Sequence, residues 1–299
     1  MNTATWIKAG STCGLFAAAG LLGVGSSQGR SAQPPETIYL TGIVRDFKEH
    51  DAPGGHPDFD LQPTAGFGVY CKNVGETLGE NGKPAFTGAG KKVSSHWKDN
   101  QNRRICYCVY NAALGDTAGS FGVSNTAATQ SAATFNQWFN DVPGVNMSTP
   151  LTVALHRQPD GSYVFDDKQD PAYTALGGFF PIEGQLLGNP GGTPNRNFHF
   201  TFELHTEFTY DADGGQTFKF VGDDDVFVFI NGKKVIDLGG VHGAAEQYVD
   251  LNRLNLTDGE TYPLDFFFAE RHRTQSNCRI VTNLHLESAP IPSVSAAFD

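Results

Sequence analysis

The stretch VGDDDVFVFINGKKVIDL, residues 221–238, sets three consecutive aspartates directly against a run of apolar residues. Asp223, Asp224 and Asp225 lead into residues 226–230, Asn231-Gly232 interrupts, and Val235, Ile236 and Leu238 resume the apolar pattern. Asn and Gly both tolerate the positive φ of a type I′ turn, so a tight hairpin with buried arms is predicted. The carboxylates at its mouth repel one another and are costly beside apolar strands unless a cation or solvent compensates them. Hard oxygen ligands suit calcium, which takes about 6–8 of them. A regular strand would point Asp223 and Asp225 one way and Asp224 the other. Neighbours can share an ion only if the backbone departs from that geometry, for instance through a cis peptide with α-carbons ~2.9 Å apart. A solvated acidic turn capping the strand is the alternative, and composition does not separate the two.

Working outward, residues 37–47 (TIYLTGIVRDF) alternate as a first strand, and residues 151–155 and 161–165 read as a hairpin. Phe198, Phe200, Phe202 and Leu204 alternate with His199, Thr201, Glu203 and His205. His199 and His205 would lie roughly 20 Å apart along one face and cannot share a metal. Leu264, Phe266 and Phe268 line another strand face, followed by Ile280, Thr282, Leu284 and Leu286. Residues 127–141 are the best helix candidate, with Phe135, Trp138 and Phe139 as a core-facing stripe. Residues 61–100 read as long loops with short strands, and residues 179–192 as a glycine-proline loop that could cover a site. Asp58 and Asp60 in HPDFD read as turn caps rather than ligands. The run 211–215 (DADGG) resembles the opening of an EF-hand loop, but Gly222 stands where its closing glutamate would be, so it is a turn.

The bulk numbers agree with a mainly β protein. Glycine is abundant (35), aromatics reach 12% and charged residues only 18%, a strand-and-turn composition. At 299 residues the chain can bury a large β domain or two small ones. The net charge of −11 argues against nucleic acid or an anionic membrane as partner. Residues 1–32 read as an export signal: Lys8, an apolar run from Gly14 to Val24, then small residues. That run is short of the ~20 residues of a membrane span. Export would leave Cys71, Cys106, Cys108 and Cys278 in an oxidising compartment, which suggests two disulfides. Cys106 and Cys108 lie two apart on one face of an expected strand and are poorly placed to bond each other. They are expected to pair with Cys71 and Cys278 in some order. A zinc site of all four lacks the usual C-x2-C spacing. Residues 288–299 read as a C-terminal tail.

The run GDDDVFVFINGKKVIDLGGVHG, preceded by TEFTYDADGGQTFKF and followed by YPLDFFFAERHRTQSN, resembles the fibro-slime domain. IYLTGIVRDF, HPDFD and FNQWFNDVPGVN resemble further motifs of that family, so the likeness runs from about Ile38 to about Leu286. The family is related to the protective-antigen-type (PA-fourteen) domains. The resemblance implies an antiparallel β-sandwich over residues 33–287, with long loops and about one short helix. It also implies calcium held by two adjacent aspartates joined by a cis bond, as in the sandwich lectins. The pair falls on Asp223 and Asp224; Asp225 replaces the family's glycine, which leaves open which pair is cis. By the same resemblance the loop 269–277 completes the calcium shell through Asn277, with Glu270 second. Glu270, Arg271, His272 and His242 are then the residues expected around the ligand. The implied function is a secreted, calcium-dependent carbohydrate-binding or adhesion module, with extracellular glycans or polysaccharides, or matrix and cell-surface proteins, as partners. The alternatives are a structural matrix protein and a glycoside hydrolase using the same acids, which needs two carboxyls about 5–9.5 Å apart. No other catalytic fingerprint is present.

Overall fold

In the computed structural model, which describes residues 33–122 and 129–289, the hairpin forms around Asn231 and Gly232 with φ of 51° and 70°. Both arms are buried on both faces, which is why the sequence there is a continuous apolar run rather than an alternating one. The strands, in chain order, are β1 (Thr37–Asp46), β2 (Tyr70–Cys71), β3 (Val74–Leu78), β4 (Pro84–Phe86), β5 (Lys91–Ser95) and β6 (Ser120–Phe121). There follow β7 (Met147–Arg157), β8 (Tyr163–Asp166), β9 (Phe200–Thr209), β10 (Thr217–Gly222), β11 (Asp225–Ile230) and β12 (Lys233–Leu238). The last are β13 (Ala245–Asp250), β14 (Thr261–Glu270), β15 (Cys278–Thr282) and β16 (Glu287–Ser288).

One antiparallel sheet runs β13-β10-β15-β8-β7-β1-β9-β14-β11-β12-β3-β4, and β2-β5-β6 form a small second one. The long sheet curls on itself. Phe220 of β10 packs on Phe266 and Phe268 of β14 at 5.7 and 6.3 Å between ring centroids. At the seam, Gln247 of β13 accepts from the Asp237 N–H of β12 at 2.8 Å and donates to its carbonyl at 3.0 Å. A side-chain amide thus substitutes for a ladder between two strands that are not paired. The interior between the layers holds Phe200, Phe202, Phe218, Phe220, Phe266 and Phe268 among other fully buried residues. A second core lies outside β11 and β14, where Phe227, Phe229 and Phe267 meet Phe47, Phe59, Phe135, Trp138 and Phe139.

β9 is paired along one edge with β14, and along the other first with β1 and then with β16. Gly42 marks where β1 leaves β9, since a Cβ there would lie 2.0 Å from the Glu203 carbonyl. β16 fills the opening, and the Thr41 N–H donates to the Ser288 hydroxyl at 3.4 Å. The ordered fold therefore includes the first residue expected in the tail.

Two local expectations are corrected. In place of a helix over residues 127–141, whose first two residues lie outside the described set, there is a single turn α1 (Ala132–Phe135). Ser131 and Thr134 cap it in a capping box, after which Asn136, Asn140 and Asp141 favour turns over further helix. A second turn of helix, α2, spans Pro171–Thr174. The CYCVY segment is a 3-10 turn (Tyr107–Val109) rather than a strand. The export segment expected over residues 1–32 lies outside the described residues.

Candidate functional site

Asp223 and Asp224 are the two residues between β10 and β11, strands that pair with different neighbours. The chain crosses here from one layer of the sandwich to the other. The crossing is not made by a cis bond: among the described residues the cis peptide is Thr193-Pro194. Asp224 instead takes a left-handed backbone, φ 50°, which aspartate tolerates better than most residues. The packing is close, for a Cβ on Gly222 would lie 2.2 Å from the Asn277 carbonyl.

Each carboxylate clips a loop to this crossing. Asp223 accepts from the backbone N–H and side-chain amide of Asn277. Asp224 accepts from the His242 N–H at 3.2 Å and from the Arg271 and His272 N–H groups at 2.8 and 2.9 Å. Asp225 accepts from the Gly240 N–H and from Arg271 Nε, both at 2.6 Å. Three like charges are thus answered by two loops, 240–242 and 271–277, whose amides point inward because the aspartates hold them.

The compensation is incomplete. Burial, with Asp224 alongside, pushes Asp223 up to about 6 against the opposing hydrogen bonds of Asn277. Burial also raises Asp224, which Arg271 opposes and Asp225 reinforces. Glu270 closes β14 beneath this pair. Burial, then Asp224 and Asp223, hold its carboxyl far above the ordinary range, and neither oxygen finds a hydrogen-bond partner of good geometry. Carboxyl groups crowded in this way are what a cation would relieve. The available donors are oxygens: the two aspartates retain lone pairs beyond those used, and the Asn277 amide, donating through nitrogen to Asp223, keeps an oxygen of its own. Such a set fits a hard ion such as calcium.

Asp223 and Asp224 open into a pocket of about 210 Å³, walled by Val241, His242, His272, Arg273 and Thr274, with Phe67 at its rim. Phe67 is 46% exposed and stands edge-on to His272 at 5.0 Å. Thr274 has φ of 126°, a strained backbone for a β-branched residue. His242 is braced by the Gly243 and Leu238 carbonyls.

Of the expected site residues, the structure brings together Asp223, Asp224, Asn277, His242 and His272. Asp225 does not line the pocket. Glu270 and Arg271 are fully buried and present no side chain to a ligand. Arg271 instead bonds Asp225, donates to the Asp58 carbonyl at 3.1 Å and lies over the Trp138 ring at 4.7 Å. Asp58 is a structural acceptor, taking the Gln130 N–H and Trp138 Nε1. Phe67 has no sequence signal, because its place at the rim comes from a loop distant in the chain.

All four described cysteines are free thiols, so the expected disulfides are not formed. Cys71 donates to the Asp237 carbonyl and Cys106 accepts from the Cys108 N–H, both beside β12. Cys278 starts β15, its N–H held by Asp167. β15 borders β10 and β8, not β12, which separates Cys278 from the other three.

A curled antiparallel sandwich with acidic residues at a layer crossing defines a class, and residues 190–296 match the PA14 domain. The chain contains a PA14 domain. Over most of its length it is similar to proteins of Dictyostelium discoideum. Protein psiD is 42% identical over 264 residues, covering 86% of this chain and 44% of psiD. Protein psiC is 33% identical over 258 residues, covering 84% of this chain and 42% of psiC. The chain thus spans less than half the length of these curated relatives. Among solved structures, a PA14 sugar-binding domain from an RTX adhesin aligns over 33% of this chain and 51% of that one, at 16% identity and a TM-score of 0.22.

Proposed function

We propose that the chain is an extracellular carbohydrate-binding or adhesion module whose pocket takes a terminal sugar ring through calcium held by Asp223, Asp224 and Asn277. The observation that carries this reading is the meeting of adjacent buried carboxylates and an exposed aromatic, Phe67, in one small pocket. Its volume is below the ~300–1,000 Å³ of drug-sized sites, the scale of a single ring rather than an extended chain. When bound, the ion would accept a pair of sugar hydroxyls in place of water. Phe67 would stack on the ring's apolar face, while the Asp223–Asn277 clip holds loop 271–277 in position. Secretion rests on residues 1–32, and the sugar-binding adhesin domain is a precedent in another protein. Matrix or cell-surface glycoproteins would present such sugars. A glycoside hydrolase using the aspartates with Glu270 is disfavoured because Glu270 lies sealed under the crossing, away from any bound sugar.

The test is thermal melting in calcium and in chelator, followed by a glycan array under both conditions. A ligand at ~100 times its Kd stabilises by about 2.7 kcal/mol, so calcium should raise the melting temperature of the wild type. Asp223→Asn should abolish that rise, while Phe67→Ala should keep it and lose glycan retention. Identical melting curves in all conditions would remove the calcium. Glycan retention unaffected by chelator would leave a sugar site that works without it.

A further inference from the structure

The segment joining β1 to the HPDFD turn brings a second set of polar groups together, apart from the Asp223–Asp224 carboxylates. Glu49, Asp60 and His199 each place one ligand atom within 4.8 Å of the other two. His199 precedes β9, far from both acids in sequence. Its backbone carbonyl accepts the Phe47 N–H at 2.8 Å, and its ring is edge-on to Phe59 at 6.4 Å. The side chain is 1% exposed, yet neither ring nitrogen has a hydrogen-bond partner among the described residues. A buried polar atom left unpaired forfeits its hydration without compensation, so a ring with both nitrogens orphaned is a standing anomaly. Burial, with Arg273, His272 and His50 as nearby like charges, pushes its pKa down to about 3. The imidazole is therefore neutral, the form that ligates metals.

The two carboxylates already have one cation. Arg273 pairs with Glu49, lies 3.5 Å from Asp60 through Nε, and donates to the Gly191 carbonyl at 2.6 Å. Two acids against one guanidinium still leave a net negative charge facing the neutral imidazole. Glu49, Asp60 and Arg273 are partly exposed, which gives an ion a way in.

We infer that Glu49, Asp60 and His199 form a binding site for a divalent transition ion of the zinc class, distinct from the calcium proposed at Asp223–Asp224. One imidazole and two carboxylates are a mixed nitrogen–oxygen set, which suits zinc and its neighbours and not calcium. Zinc bonds of ~2.0–2.2 Å hold ligand atoms no more than ~4.4 Å apart. The present spread closes by rotation of the two partly exposed acids, with the buried His199 fixed. Arg273 and His272, whose Nε2 is 3.8 Å from Asp60, would surround the ion, and both also wall the pocket.

The experiment is calorimetric titration of the chelator-stripped chain with Zn²⁺, repeated with Co²⁺ to read its visible ligand-field spectrum. One equivalent should bind, without the thiolate charge-transfer bands that Cys71, Cys106 or Cys108 would produce. Glu49→Gln and Asp60→Asn should each weaken it at least tenfold, and His199→Gln should change the cobalt spectrum. Glu49→Gln alters a partly exposed residue and keeps the test valid if the buried histidine variant does not fold. Asp223→Asn should leave zinc binding intact, so failure of the calcium reading and failure of this one are distinguishable. Equal affinity in wild type and Glu49→Gln, thiolate bands, or no binding would overturn the site and assign the His199 nitrogens to water.

Discussion

Asp224 holds three backbone N–H groups on one carboxylate. Truncating it would orphan all three and confound any metal measurement with unfolding, so Asp223 is the better probe. Its pKa also predicts how calcium and pH interact. The folded chain binds the Asp223 proton more tightly than the unfolded chain, about 6 against 3.8. That contribution to stability is fully present below the ordinary value and is lost as pH rises through the folded one. Calcium would bind the ionised carboxylate and reverse the dependence. The calcium-induced rise in melting temperature should therefore be small near about pH 5 and larger near about pH 7. Melting curves with calcium and with chelator at both pH values check this; a rise that shrinks with pH would count against Asp223 as a ligand.

At the scale of elements, the outer face of β9 is polar yet buried. Glu203 is paired by Arg45 of β1 at 2.9 Å and by Lys83, which stands just before β4. Burial alone would raise its pKa, but His205, Arg45 and Lys83 outweigh it and hold the carboxyl at about 2. Removing one partner from a buried pair costs about 3–5 kcal/mol, whereas exposed pairs contribute about 0–1. Lys83→Met should then cost about 3 kcal/mol in urea unfolding, and Lys219→Met, whose pair with Glu246 is partly open to solvent, under about 1. Equal losses would place Glu203's support elsewhere. The same elements mark how far the sequence could be read. The hairpin at Asn231-Gly232, the strand at residues 37–47 and the core role of Phe135, Trp138 and Phe139 follow from local chemistry and were legible. Glu270 and Arg271 are expected around the ligand but lie inside, because the partners that take them in, Asp223 and Asp224 for Glu270 and Asp225 and Trp138 for Arg271, are remote in sequence. The left-handed Asp224 was hidden too, since a triple aspartate specifies crowding but not which backbone relieves it.

For the molecule as a whole, curling the sheet leaves a seam, and Gln247 bridges it with one side chain. Gln247→Leu keeps the volume near constant but strands the Asp237 N–H, at about 1–3 kcal/mol for a buried group, while the Asp237 carbonyl keeps the Cys71 thiol. Hydrogen exchange should show the Asp237 amide opening faster, while amides of β1 and β9, paired deep in the sheet, keep their protection. Uniform loss of protection would mean the seam opens only with the whole fold. The shared edge of β9 has a mechanical corollary. β1 is laced to its neighbours over ten residues and β16 over two. A tether pulling on both ends of the domain would therefore unzip the C-terminal strand first and bare the β9 edge beside Thr206 and Glu207. Stretching would offer that edge to another strand while the rest of the sandwich stays shut.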